Sequence, residues 1–153
     1  WKISPFSSLL LFSASIFSTL TLKGIQTYHG QEPDVIELVT DGILEQKGTH
    51  WELSYEESSL TGLEGVTTSF LLQEHCVTLT RSGNLQSQMV FREGTRHESL
   101  YQMEFGAFMM AVCASLVQWE MTETGGTVKL QYKIEIEQDA AGTVDYDLKI
   151  KAK

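Results

Sequence analysis

Two stretches near the C-terminal end of this 153-residue chain place apolar side chains at every second position, and no other pattern in it restricts the fold as much. From Thr127 to Glu137, Val128, Leu130, Tyr132, Ile134 and Ile136 alternate with Lys129, Gln131, Lys133 and Glu135. From Thr143 to Ala152, Val144, Tyr146, Leu148 and Ile150 alternate with Asp145, Asp147, Lys149 and Lys151. Successive side chains of a strand point to opposite faces, so period two predicts strands with one dry face and one wet. Residues 138–142, with Asp139 and Gly142 as turn formers, form a short enough link to make the two runs an antiparallel hairpin.

Comparable runs recur every ten or so residues from Thr19 onward, the spacing of an all-β sandwich or barrel. Strands are expected near 19–28, 34–46, 50–57, 65–73, 75–81, 85–93, 97–105, 107–122 with a bend, 127–137 and 143–152. Turn formers separate most of them, among them Gly30 with Pro33, Gly48, Gly83-Asn84, Gly94 and Gly125-Gly126. The length suits one domain with a real core. Residues 107–114 are ambiguous, because alanine and methionine favour helix. They are read as strand because Val117, Trp119 and Met121 continue the alternation. A three-residue loop at Ser82-Gly83-Asn84 predicts a hairpin pairing Val77 with Met89, with Leu79 and Arg81 on the face that carries Leu85, Met89 and Phe91.

Composition excludes several partners. Twenty acidic residues against 11 basic ones give a net charge of −9, the opposite of the basic patch that binds nucleic acid. No polybasic segment is present to hold an anionic membrane surface. Cys76 and Cys113 are the only cysteines, and no glycosylation acceptor follows Asn84, which fits a reducing compartment. Residues 1–19 differ from the rest: a single charge, Lys2, accompanies serines and short apolar runs too brief to span a bilayer. They are read as an extension outside the domain, a misassigned start or a weak leader, with the barrel domain at 20–153.

Tyr55-Glu56-Glu57, Arg81-Ser82-Gly83, the run Met89 to Gly94 and the run Tyr101 to Gly106 together resemble the YwiB-like family of small bacterial proteins of unknown function. The likeness covers about Leu20 to Lys153. It implies a closed antiparallel, lipocalin-like (calycin-like) β-barrel of about eight to ten strands, expected in the cytoplasm, and brings no reaction or catalytic residue with it.

A barrel of this size is either filled by its own side chains or holds one small ligand, usually at its mouth. Arg81 is the first candidate contact: it follows Val77 and Leu79 on the inward face at a strand end, and its planar donors match a carboxylate or phosphate. The plainer reading, and the favoured one, pairs Arg81 with a neighbouring glutamate or with loop carbonyls. Tyr55, Glu56, Tyr101 and Trp119 are further candidates, the tyrosines as inward aromatics whose hydroxyls need partners. His75 and Cys76 are adjacent and so point to opposite faces, and no Cys-x-x-Cys or His-x-x-x-His spacing occurs, so no metal site is expected. No nucleophile elbow, phosphate loop or dinucleotide fingerprint appears, so neither a catalytic residue nor a cofactor is assigned and an enzyme is the minority reading. The expected function is small-molecule binding at the barrel mouth; the alternative is a filled barrel acting through its surface, as an interaction module or homodimer.

Overall fold

The alternation yields ten strands: β1 (Ser15–Tyr28), β2 (Asp34–Lys47), β3 (His50–Glu56), β4 (Val66–Gln73), β5 (Cys76–Gly83), β6 (Leu85–Phe91), β7 (Arg96–Met103), β8 (Gly106–Thr122), β9 (Gly125–Ile136) and β10 (Asp139–Ala152). The computed structural model describes residues 15–153, and among these there is no helix, hence none that could cross a membrane. Each strand is antiparallel to its chain neighbours, and β1 pairs β10 from Ser18↔Ala152 to Tyr28↔Gly142, which closes the sheet into a barrel. The first strand begins at Ser15 rather than Thr19. Ser15 to Thr19, expected outside the domain, pair with Glu45 to Asp41 of β2, and Ser18 is fully buried. The remainder of the expected extension lies outside the described residues.

Two added residues put the apolar faces in phase. The β9–β10 turn is tighter than residues 138–142: Glu137 (φ 51°) and Gln138 (φ 71°) are its central pair, and two positive φ values in succession match the twist of the flanking strands. That turn alone would oppose even-numbered residues of β9 to odd-numbered residues of β10. A bulge between Ala140 and Gly142 restores the phase, so Tyr132 faces Val144 and Leu130 faces Tyr146. A second bulge, between Ala114 and Leu116, changes the inward parity of β8 from even (Met110, Val112, Ala114) to odd (Val117, Trp119). The run 107–114 that read as either helix or strand and the alternation that follows it are thus one strand written in two phases.

The β5–β6 hairpin keeps its expected faces and loses its expected register. Val77 pairs Phe91, not Met89, and the ladder begins at Arg81↔Ser87. The reason is competition: Ser82 and Gly83 pair with β4, while Leu85 and Gln86 pair with β7, so the loop between β5 and β6 is longer than three residues. A slip of two residues leaves every side chain on its original face. The wall is weakest between β6 and β7, where only Leu85↔Met103 and Gln86↔Gln102 pair. There the turn leans on β8 through Gly94 N–H to Ala114 O (2.8 Å), and His97 Nδ1 accepts the Val90 N–H at 3.4 Å.

Register stacks the inner wall in rows. Trp51, Leu72, Val77 and Phe91 form one row across β3 to β6, and Leu53, Phe70, Leu79 and Met89 form the next. All eight are buried, so side chains pack this part of the interior. Both cysteines are free thiols, Cys76 buried and Cys113 half-buried.

Candidate functional site

One row further toward the β3–β4 and β5–β6 loops, apolar residues give way to Tyr55, Thr68, Arg81 and Ser87, each the register partner of the next. Because inward positions recur every second residue, this polar row follows directly from the apolar rows beneath it. The half of the barrel that it faces is hollow, with a cavity of about 340 Å³. Arg81, Tyr55 and Tyr101 all line it, joined by Tyr132 and Tyr146 from the opposite wall and by Thr61 and Leu63 of the β3–β4 loop.

The tyrosines are held by packing rather than by a dense polar network. Tyr101 stacks on Phe108 at 4.9 Å between ring centres, Tyr132 tilts against Phe91 at 4.5 Å, and Tyr146 lies 5.8 Å from Phe70. The Tyr55 and Tyr146 hydroxyls approach to 3.5 Å across the cavity. Burial pushes the Tyr55 and Tyr132 phenols up to about 12 and Tyr146 well above its ordinary value, although the Arg81 charge pulls all three down. These phenols therefore stay neutral at physiological pH.

Of the acidic pair that follows Tyr55, it is Glu57 that turns inward. Its carboxylate accepts from Thr61 Oγ1 at 2.9 Å and from Thr68 Oγ1, and it lines the cavity. Glu56, a candidate from the sequence, points to the outer face, where its carboxylate is exposed and accepts from Thr67 Oγ1 at 2.9 Å. Trp119 is remote as well: its indole N–H donates to Gln73 O at 2.8 Å beside a wider depression at the opposite end, bordered largely by polar side chains. Glu57, Tyr132 and Tyr146 were available to sequence reasoning, since each sits in phase with an inward residue. Thr68 and Ser87 were not, because only the register between strands places them beside Arg81.

Arg81 itself has neither of the partners the plainer sequence reading supplied. Among the described residues it makes no hydrogen bond or ion pair, and its Nε is buried without a partner; so is Ser87 Oγ, its neighbour across the ladder. Arg96, in contrast, bridges Glu98 (2.7 Å) and Glu135 (2.9 Å) on the outer face. Arg81 is half-buried, and leaving its buried Nε without a partner costs stability. Arg81→Met is expected to raise the stability of the ligand-free protein by about 1 kcal/mol, read from the urea midpoint. A fall of similar size would mean that the guanidinium holds the fold together.

These features define a class: a closed ten-stranded antiparallel barrel, packed at one end and hollow at the other, with a lone arginine among tyrosines in the hollow. Within that class the chain belongs to a family defined by a domain of unknown function, DUF1934, whose family model matches residues 20–150. It is similar to a solved crystal structure, that of the ywiB protein from Bacillus subtilis, with a TM-score of 0.83 and 22% identity, over 97% of this chain and 99% of that one. At that identity the likeness establishes the fold alone. No curated protein matches the chain.

Proposed function

We propose that this barrel is a cytoplasmic small-molecule-binding protein whose ligand enters the hollow half beside the β3–β4 loop. The observation that carries this is Arg81: a cation with a buried, unpartnered Nε, facing a cavity of about 340 Å³, has its missing partner supplied by a ligand. A calycin-like barrel suits the task, because a closed wall needs no filled interior to stay closed and one end is already packed. Two free thiols fit a reducing compartment. Among the described residues lining the cavity, the hydroxyl of Thr61 meets the Glu57 carboxylate with no histidine or lysine beside it to activate a nucleophile, so binding without chemistry is the reading favoured.

A second reading rests on a different observation. Leu100, Met103, Phe105 and Met109 are exposed around the β7–β8 hairpin, Phe105 at 95%, and such a patch suits a homodimer contact. Native mass spectrometry of the protein purified from its own cells separates the two. The expected result is a monomer carrying a small adduct that dissociates on activation. A dimer with no adduct would favour the surface reading and count against the cavity.

A further inference from the structure

We infer that the cavity selects a small organic monoanion: a single carboxylate on an apolar body, with the carboxylate seated on the Arg81 fork. This rests on the reading that the cavity binds a small molecule, and adds the chemical class.

Charge decides the head group. Arg81 is the one Lys or Arg side chain lining the cavity among the described residues, and it has no counter-ion. Glu57, the one carboxylate there, is turned onto the hydroxyls of Thr61 and Thr68 rather than onto the guanidinium. The guanidinium has no ion-pair partner and can take one carboxylate, while Glu57 already adds a negative charge to the same lining and so weighs against a ligand with two. A phosphate monoester carries about −1.5 to −2 at neutral pH and would need a second cation that the lining lacks. The planar guanidinium also offers two parallel donors, which match the two oxygens of a carboxylate.

Neutral donors complete the seat. The Tyr55, Tyr132 and Tyr146 phenols all lie within the field of Arg81, and burial keeps them protonated; Tyr55 and Tyr146 share a contact of 3.5 Å, which leaves Tyr132 as the phenol with an unengaged hydroxyl hydrogen to offer an anion among the described residues. Ser87 Oγ, buried and unpartnered in the next ladder position, is one more. Away from this cluster the lining is mostly apolar, with Leu22, Ile36, Met89, Met110, Ile134 and Val144, and the hydrogen-bonded pair Tyr28 and Gln26 among them. Its volume is that of roughly eleven waters, at about 30 Å³ each in the liquid, which fits a chain of about ten carbons.

Decanoate, decanol and decyl phosphate are the probes, titrated into the full-length protein and followed by calorimetry and by the methyl NMR signals of labelled methionines. Met89 and Met110 line the cavity, whereas Met103, Met109 and Met121 do not and serve as internal controls. Decanoate is expected to shift Met89 and Met110 selectively and to bind at least tenfold more tightly than decanol or decyl phosphate. Arg81→Met should weaken decanoate at least tenfold and leave decanol unchanged, with Arg81→Lys intermediate; a cooperative melt of each variant shows that it is folded. Equal binding of decanol, tighter binding of decyl phosphate, or an Arg81→Met variant that keeps decanoate affinity would each overturn the carboxylate assignment while leaving the cavity as a binding site. If none of the probes moves Met89 or Met110, the binding reading falls with it.

Discussion

Phe70→Ala is expected to destabilise the barrel by about 4 kcal/mol and to lower its melting temperature by about 10 °C. Phe70 has no exposed surface, stands between Leu53 and Leu79 in the middle row of the inner wall, and packs against Tyr146. Truncating it removes a whole ring from the floor that divides the packed half from the hollow half. The neighbours sit on hydrogen-bonded strands of a closed cylinder and cannot collapse into the void, so the cost lies toward the upper end for such changes. Urea unfolding with an unchanged slope would give the number directly. A loss below about 1 kcal/mol would show that the floor is loose and the cavity runs deeper than its lining indicates.

Alkaline pH is expected to unfold the protein well before it breaks any salt bridge to Arg96. Tyr55 and Tyr132 have folded-state values of about 12, raised by burial above the ordinary value of 10.0, and burial raises Tyr146 well above that value too. For an acid whose proton is held more tightly in the folded state, the linked stability is complete below the unfolded value and is lost as pH rises toward the folded one. Between pH 10 and 12 the unfolded chain has released protons that the native barrel keeps. Each of Tyr55 and Tyr132 therefore removes about 1.4 kcal/mol of stability per pH unit, or roughly 5 kcal/mol for the two across the window. Urea midpoints should be level from pH 8 to 10 and fall steeply above it. Tyrosinate absorbance should show the buried Tyr55, Tyr132 and Tyr146 phenols ionising only with unfolding. Five phenols titrating together near the ordinary value, with the midpoint unmoved, would place the cavity in open contact with water.

Much of the wall could be read before any coordinates. The alternation in 128–136 and 144–152 assigned inward and outward residues correctly, because burying one face of a strand needs only a local period of two. It likewise placed Tyr55 and Arg81 inside, two steps beyond Leu53 and Leu79. Register was less accessible. The β5–β6 ladder is displaced by two residues because β4 and β7 claim the loop residues, and a competition among four strands leaves no trace in the sequence of two. Glu56 was chosen over Glu57 although both follow Tyr55, and the phase itself favoured Glu57. Trp119, a candidate contact by its aromatic character, lies at the other end of the barrel from Tyr55 and Tyr101, since height along the barrel axis depends on strand stagger.

What the chain specified by itself is the class of fold, the ten strands and the face on which each residue lies; these rest on spacing along one segment at a time. What only the tertiary structure decided is the stagger of those strands around a closed wall. That stagger set Arg81 level with Tyr55, Thr68 and Ser87 rather than beside a glutamate, packed one half of the interior and left the other hollow. Closure imposes it, because a cylinder admits only registers that agree all the way round, and no single hairpin contains that condition.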